Sequence, residues 1–437
     1  MPLTKSEFAS VATMMLLIVG RTTRNCAGWR EGQLNLFDRL RGGSEQDLFA
    51  KRVIRQLRQR GWRGKIVYDR NQFVLRLDNE HALFLGNALR AWKAATATTR
   101  DGEIDTAIGF LFEDHRDTSF DACGPRLLPV IRGRAHIANA WMIPALATGP
   151  DSYDGAWKPF CEGLAVLVAI DSPTSIQLLN SSRMSEWAMS FDQVLDVAME
   201  NLRALSPCQF ERQNGGFHLS TYGDHYDASR ILLPHLFDQL PLRGDPVAVV
   251  VAREGLVVAG SDDLAALDAM AAYVEEEIGR AMRPVSTLPI ILQGGEWRLM
   301  PTHAPELSAL DRLRIRQKLT EYSDQKEVLQ GYVTAQGREL YVAETQSRRD
   351  GDRLMTWAAW TEEVPTLLPV ADIIIVNPTG GPPIARRWSD VEAVCGPFVV
   401  EPATYPARWV VETWPGPDVL ARLRDRERPS GFPADFA

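Results

Sequence analysis

The densest run of chemically capable side chains is Thr221-Tyr222-Gly223-Asp224-His225-Tyr226-Asp227-Ala228-Ser229-Arg230, with His218 just upstream. An imidazole exchanges a proton near neutral pH, and a neighbouring carboxylate can orient it or hold a metal. A guanidinium can grip a carboxylate or phosphate with two parallel hydrogen bonds. One reading is therefore a hydrolytic or phosphate-ester site. His225 would be the base, with Asp224 or Asp227 orienting it and His218 a further catalytic candidate. Arg230 and Tyr226 would contact the ligand. The other reading is structural. Asp224 would N-cap a helix starting near His225, Asp227 would complement its dipole at the third position, and Asp227 and Arg230 would pair at i, i+3. The structural reading accounts for every charge without catalysis and is the one preferred.

Elsewhere the sequence is poor in catalytic signatures. It holds no GxGxxG after a strand, no Walker A loop, no HExxH, no GxSxG elbow and no paired zinc cysteines. No metal or cofactor is expected. Gly380-Gly381 follows a strand, but Pro382 and Pro383 remove two of the amides a phosphate cradle would use. Five scattered cysteines, Cys26, Cys123, Cys161, Cys208 and Cys395, form no disulfide framework and read as small buried hydrophobes of a cytoplasmic protein. The apolar stretch Phe8 to Val19 could pass for an export signal. Glu7 before it and Arg21 and Arg24 after it favour a buried helix from about Thr4.

Charge is uneven. Residues 1–136 hold 22 Lys/Arg against 15 Asp/Glu, while the whole chain carries a formal charge of -8. The basic concentration runs from Lys51 to Lys65 and includes Arg52, Arg55 and Arg58, with Phe49, Val53 and Leu57 on the opposite helical face. A solvated amphipathic face is the plain explanation; an anion or nucleic-acid surface is the sharper one. No nucleic-acid-binding motif accompanies it, so that reading ranks last.

The 437 residues suggest two or three domains. Amphipathic helices alternate with short paired strands. Ser44 to Asp47 has a cap-like pattern, and Ile66–Tyr68 with Phe73–Leu77 reads as a hairpin. Helices are expected over His81–Ala95 and Ser190–Leu205, from Ser261, and from Glu306 to about Tyr322. In the Ser190 helix, Phe191, Val194, Leu195, Ala198, Leu202 and Leu205 form one stripe. Asp101–Gly124 reads as a polar, turn-rich connector. Strands are expected at Arg126–Arg132 (an edge, given Pro129), Leu164–Ile170, Phe217–Tyr222, Val247–Ala252, Leu256–Ala259, Leu288–Leu292, Glu296–Met300, Gly331–Ala335, Glu339–Glu344, Leu354–Trp360 and Ile373–Val376. Trp357 and Trp360, three apart in a strand, should face opposite sides, one toward core and one toward surface. No run is long and apolar enough to span a membrane. Regular βαβ units are missing, which argues for an α+β fold of mostly antiparallel sheets. The expected divisions are 1–124, net basic; 125–303, a central α+β domain; and 304–437, a Trp-rich α+β extension.

Three strings, Arg126-Leu127-Leu128-Pro129-Val130-Ile131-Arg132, Asn201-Leu202-Arg203-Ala204-Leu205 and Tyr226-Asp227-Ala228-Ser229-Arg230-Ile231-Leu232, in that order and spacing resemble the YtpQ-like bacterial proteins, domain of unknown function 1444. The resemblance covers about residues 45–300. It implies a bacterial, cytoplasmic protein of unassigned activity and supplies no catalytic residues. The N-terminal helix and the residues beyond about His303 depart from the pattern. The resulting expectation is a non-enzymatic protein that binds another protein or an anionic ligand.

Overall fold

The computed structural model describes residues 44–70, 73–77, 81–112, 118–148, 155–172, 175–281, 283–350, 353–402 and 404–429. The expected N-terminal helix, the export-signal reading and Cys26 lie outside the described residues, as do all residues after Pro429. Among the described residues no helix is long and apolar enough to cross a membrane. The chain divides into two compact units: residues up to Leu127 with Ala169–Leu178, and Leu128–Val168 with Leu179 onward.

In the first unit, helix α1 (Glu45–Gln59) opens with a reciprocal capping box. The Asp47 amide donates to Ser44 Oγ at 3.1 Å and the Ser44 amide donates to Asp47 Oδ2 at 2.9 Å. Its apolar stripe, Phe49, Val53 and Leu57, is buried. Strands β1 (Ile66–Asp69) and β2 (Val74–Leu77) form the expected hairpin. The helix expected from His81 starts four residues late. Residues 81–84 are instead strand β3 (His81–Phe84), paired antiparallel with β2, and helix α2 (Leu85–Ala94) follows. The pairing places Leu83 beside Leu75 and Leu77 against α1, a burial that an isolated helical turn would forgo. Part of the stretch read as a connector is helix α3 (Arg100–Gly109), held by buried Ile104 and Ile108.

The second unit starts within strand β4 (Leu127–Gly133), which runs into helix α4 (Arg134–Thr148). Strands β5 (Lys158–Cys161), β6 (Leu164–Ser172) and β7 (Ser175–Leu178) come next in the chain; β4, which carries Pro129, is the edge of the order β4-β6-β5, the kind of strand that tolerates proline. Helix α5 (Phe191–Ala204) has a second capping box, Ser190 with Gln193. Val194, Ala198 and Leu202 are buried, but Leu205, the expected end of the stripe, is 53% exposed. Ser190→Ala removes the hydroxyl that accepts from the Gln193 amide. Urea unfolding is expected to show a loss of about 1 kcal/mol.

Strands β8 (Phe210–Arg212), β9 (His218–Ser220), β10 (Pro246–Ala252), β11 (Gly255–Gly260), β12 (Ile290–Gln293) and β13 (Glu296–Leu299) form one six-stranded sheet, and helix α6 (Leu264–Arg280) leads from β11 towards β12. The strand order is β13-β12-β10-β11-β9-β8. Asp263, not Ser261, caps α6: it accepts from the Ala266 amide at 3.1 Å, while Ser261 Oγ accepts from the Asp245 amide at 2.9 Å. One sheet face, including Val247, Val249 and Val251, packs on Leu267, Met270 and Val274 of α6. The other, with Ala248, Val250 and Val258, packs on Ile131, Ala228, Ile231 and Phe237. This second layer carries the candidate cluster.

Helix α7 (Ser308–Ala335) is far longer than expected and contains the residues assigned to a strand at Gly331–Ala335. Val328, Leu329 and Val333 continue its buried face, so the apolar run belongs to helix period. After it come β14 (Tyr341–Val342), β15 (Gln346–Asp350), β16 (Arg353–Thr361), β17 (Thr366–Pro369), β18 (Ile373–Asn377), β19 (Ile384–Arg387), helix α8 (Trp388–Cys395), β20 (Val399–Val400), β21 (Arg408–Val411) and helix α9 (Pro417–Arg424). They make two four-stranded sheets, β14-β17-β21-β20 and β15-β16-β18-β19. Two pairs, β14 with β17 and β16 with β18, are parallel; the other pairs described are antiparallel, and the class is α+β. Trp360 is buried in a ring cluster with Phe398 and Trp414, and Trp357 packs half-buried in a separate cluster with Ile373 and Ile375.

Candidate functional site

After β9 the chain makes a tight loop. Gly223 takes φ 66°, and His225 takes φ 69°, a conformation uncommon for a residue with a Cβ. The loop leads into a 3-10 helix, Asp227–Leu232, in place of the expected α-helix from His225. Its N-cap is Tyr226, so Asp224 is not a helix cap; its Oδ1 accepts from the Tyr226 amide at 3.0 Å within the loop.

Arg230 is completely buried. Its Nη1 and Nη2 donate to the two oxygens of Asp224, each at 2.7 Å, a bidentate pair. Nε donates to Ser206 Oγ at 3.0 Å and Nη2 to the Leu205 carbonyl at 3.1 Å. The guanidinium also lies 4.0 Å from the centroid of the Tyr222 ring. The expected Asp227–Arg230 pair is thus replaced by Asp224–Arg230. The loop carries Asp224 back to the guanidinium, and Asp227 is occupied elsewhere. Asp227 is 1% exposed and accepts from the Tyr222 and Gly223 amides at 3.1 and 3.2 Å, closing the loop on itself.

The two carboxyls are driven in opposite directions. Burial works to raise Asp224, but Arg230 and the Tyr226 amide outweigh it and hold Asp224 below its usual range. Burial raises Asp227, and the nearby Asp224 charge adds to this, against the Ser220 hydroxyl and the Tyr222 amide.

The histidines part company. His218 is buried on β9, its Nδ1 has no hydrogen-bond partner among the described residues, and burial and then the Arg212 charge lower its pKa, which favours the neutral ring. His225 is exposed and its Nδ1 lies 3.1 Å from Glu254 Oε1, not beside Asp227. Tyr226 is 2% exposed. The fold therefore brings buried Asp227, Tyr226 and Arg230 and the partly exposed Asp224 into one network and leaves His225 outside it.

The three strings singled out in the sequence converge here. Arg230 bonds the carbonyl of Leu205, and Ile131 packs in the same cluster as Ala228 and Ile231. On α1, two of the three candidate anion contacts have local roles. Arg58 donates to the carbonyls of Trp62 and Gly64 at 2.8 and 2.9 Å, and Arg52 lies 5.3 Å from the Trp92 ring centroid. Arg55 is exposed. At Gly380-Gly381 the preceding Thr379 amide donates to Glu362, as a turn would require.

Sequence reasoning missed two features. The first is a carboxyl on α7. Glu321 is 8% exposed; burial first, with the charges of Glu162 and Asp324 adding to it, pushes it up to about 7, against the Gln317 amide that donates to it at 2.9 Å. A polar residue on an otherwise core-facing stripe was the available signal. The second is an open hollow of about 740 Å³ lined in part by Trp141, Tyr332, Arg338, Phe398, Val399 and Glu401. Its lining comes from distant stretches of chain, so no local pattern marks it. Among the described residues no group of three or more His, Cys, Asp or Glu is arranged to hold a metal ion.

The chain is similar to a UPF0354 protein of Shouchella clausii, 23% identical over 261 residues that cover 57% of this chain and 93% of the relative. It is similar to a UPF0354 protein of Halalkalibacterium halodurans, 26% identical over 247 residues, 54% of this chain and 88% of the relative. A UPF0354 protein of Staphylococcus aureus is 25% identical over 128 residues, 28% of this chain and 45% of the relative. All three relatives are bacterial, and their names assign no activity. No family model matches the chain, and no solved structure matches it.

Proposed function

We propose that this is a cytoplasmic bacterial binding protein, non-enzymatic, that recognises a ligand or another protein, and that it is an extended relative of the YtpQ-like family, domain of unknown function 1444. The observation that carries the reading is the closure of the 222–230 loop. Arg230 is fully buried with Asp224 and two groups at the end of α5, and Asp227 is bonded to two loop amides. A hydrolase of the expected kind would need His225 and Asp227 as a pair; His225 faces Glu254 instead. The match along most of two UPF0354 proteins supports the family placement.

The test is turnover of p-nitrophenyl phosphate and p-nitrophenyl acetate by the full chain and by His225→Ala, with melting temperature measured on both. No turnover above buffer is expected from either. Turnover abolished by His225→Ala at an unchanged melting temperature would overturn the reading.

A further inference from the structure

The hollow of about 740 Å³ draws its walls from α4, the end of α7 and the turn after it, and the segments around β20 and β21, all within the second unit. Its volume falls in the range of roughly 300–1,000 Å³ that small-molecule sites occupy. Three half-buried rings line it: Trp141 of α4, Tyr332 of α7 and Phe398 just before β20. The Trp141 and Tyr332 ring centroids are 5.9 Å apart, with planes inclined at 55°. One positive group can therefore lie within about 6 Å of both rings, the distance over which a ring face attracts a cation. The rings are held from behind. Trp141 and Tyr332 pack with Val410 against the buried Val328, Leu329 and Val333, and Phe398 has its centroid 5.9 Å from that of Trp360 and 6.0 Å from that of Trp388.

The charged side chains in the lining are Arg338, Glu401 and Glu412. Arg338 is engaged: its Nη1 and Nη2 donate to the two oxygens of Glu401 at 2.6 and 2.8 Å, and Glu401 is 5% exposed. Glu412 is exposed and makes no hydrogen bond or close ion pair among the described residues. The Glu401 bond first, with the charges of Glu401 and Glu412 adding to it against burial, raises the Arg338 pKa. One guanidinium against two carboxylates leaves the lining with one net negative charge. A phosphate or carboxylate ligand would find no open guanidinium fork here, because Glu401 already fills it. A cation would find two ring faces and an exposed carboxylate. Val399, 70% exposed at the same hollow, offers apolar surface beside them.

We propose that this hollow binds a small organic cation, an ammonium group carried on an apolar body, with the charge against Trp141 and Tyr332, Glu412 as its countercharge and the apolar body on Phe398 and Val399. The proposal deepens the binding reading above and rests on it: it names a ligand class and the place that holds it. None of these residues belongs to the 222–230 loop.

The experiment is calorimetric titration and thermal unfolding of the full chain with benzyltrimethylammonium chloride, against sodium benzoate and benzyl alcohol at matched ionic strength. The cation is expected to bind saturably, to raise the melting temperature, and to bind about tenfold or more tightly than either of the others. Tyr332→Leu keeps an apolar wall and removes a ring face, and is expected to weaken cation binding about tenfold. Glu412→Gln, at an exposed position, is expected to melt like the parent without ligand and to weaken cation binding about threefold or more, with benzyl alcohol unaffected. The proposal is overturned if the cation does not bind, if benzoate or benzyl alcohol matches it, or if either variant binds the cation like the parent; should Tyr332→Leu fail to fold, Glu412→Gln decides. Absence of cation binding would remove this site and leave the non-enzymatic reading standing, whereas His225-dependent turnover would remove that reading whatever the hollow binds.

Discussion

Asp224→Asn is expected to lower stability by about 3 kcal/mol, measured as a shift in the urea midpoint at constant slope. The size comes from Arg230, not from the carboxylate. Arg230 is fully buried, while the Asp224 side chain retains 39% exposure. Removing the countercharge leaves a guanidinium in the core with two neutral acceptors, Ser206 Oγ and the Leu205 carbonyl. A buried charge without its partner is among the costly single changes a protein can suffer. The pH behaviour is set by the direction of the Asp224 shift. Its folded pKa lies below the unfolded one, so its contribution is complete above about pH 4 and is lost as pH falls through the folded value. A variant with wild-type stability would show that the bidentate pair is not holding the loop.

Glu321 should produce the opposite pH dependence. Its folded pKa is raised from 4.5 to about 7, so between those values the folded chain binds more protons than the unfolded one. Stability is therefore full below the lower value and declines as pH rises through the window, by on the order of 3 kcal/mol in all. Glu321→Gln keeps an acceptor for Gln317 and removes the titration. Denaturant midpoints from pH 4.5 to 7 are expected to fall in the parent and to flatten in the variant. Equal slopes in both would place the titrating group elsewhere.

These two effects mark where sequence and structure diverge. Helices with caps and clean stripes, α1 and α5, are legible because Ser44–Asp47 and Ser190–Gln193 bond locally, whatever the tertiary fold. The hairpins β1–β2 and β12–β13 are legible for the same reason, as their partners are close in sequence. His81–Phe84 is not, because a short apolar run fits either period and pairing with β2 makes the choice. Gly331 to Ala335 is ambiguous in the same way, its helical face visible only once the α7 core is assembled. The candidate site is half legible. Asp224, Asp227 and Arg230 do interact as a set, but helix spacing gives the wrong pair, since loop closure at Gly223 and His225 redirects both carboxylates.

At the centre stands the claim that Asp224 and Arg230 serve the fold as one unit. A double-mutant cycle of Asp224→Asn and Arg230→Met, read by urea unfolding at pH 7, tests it most directly. Either single change should be severe, and the double variant should lose less than their sum by about 2 kcal/mol, since it buries neither charge alone. Strictly additive losses would contradict the claim and free both side chains for another role.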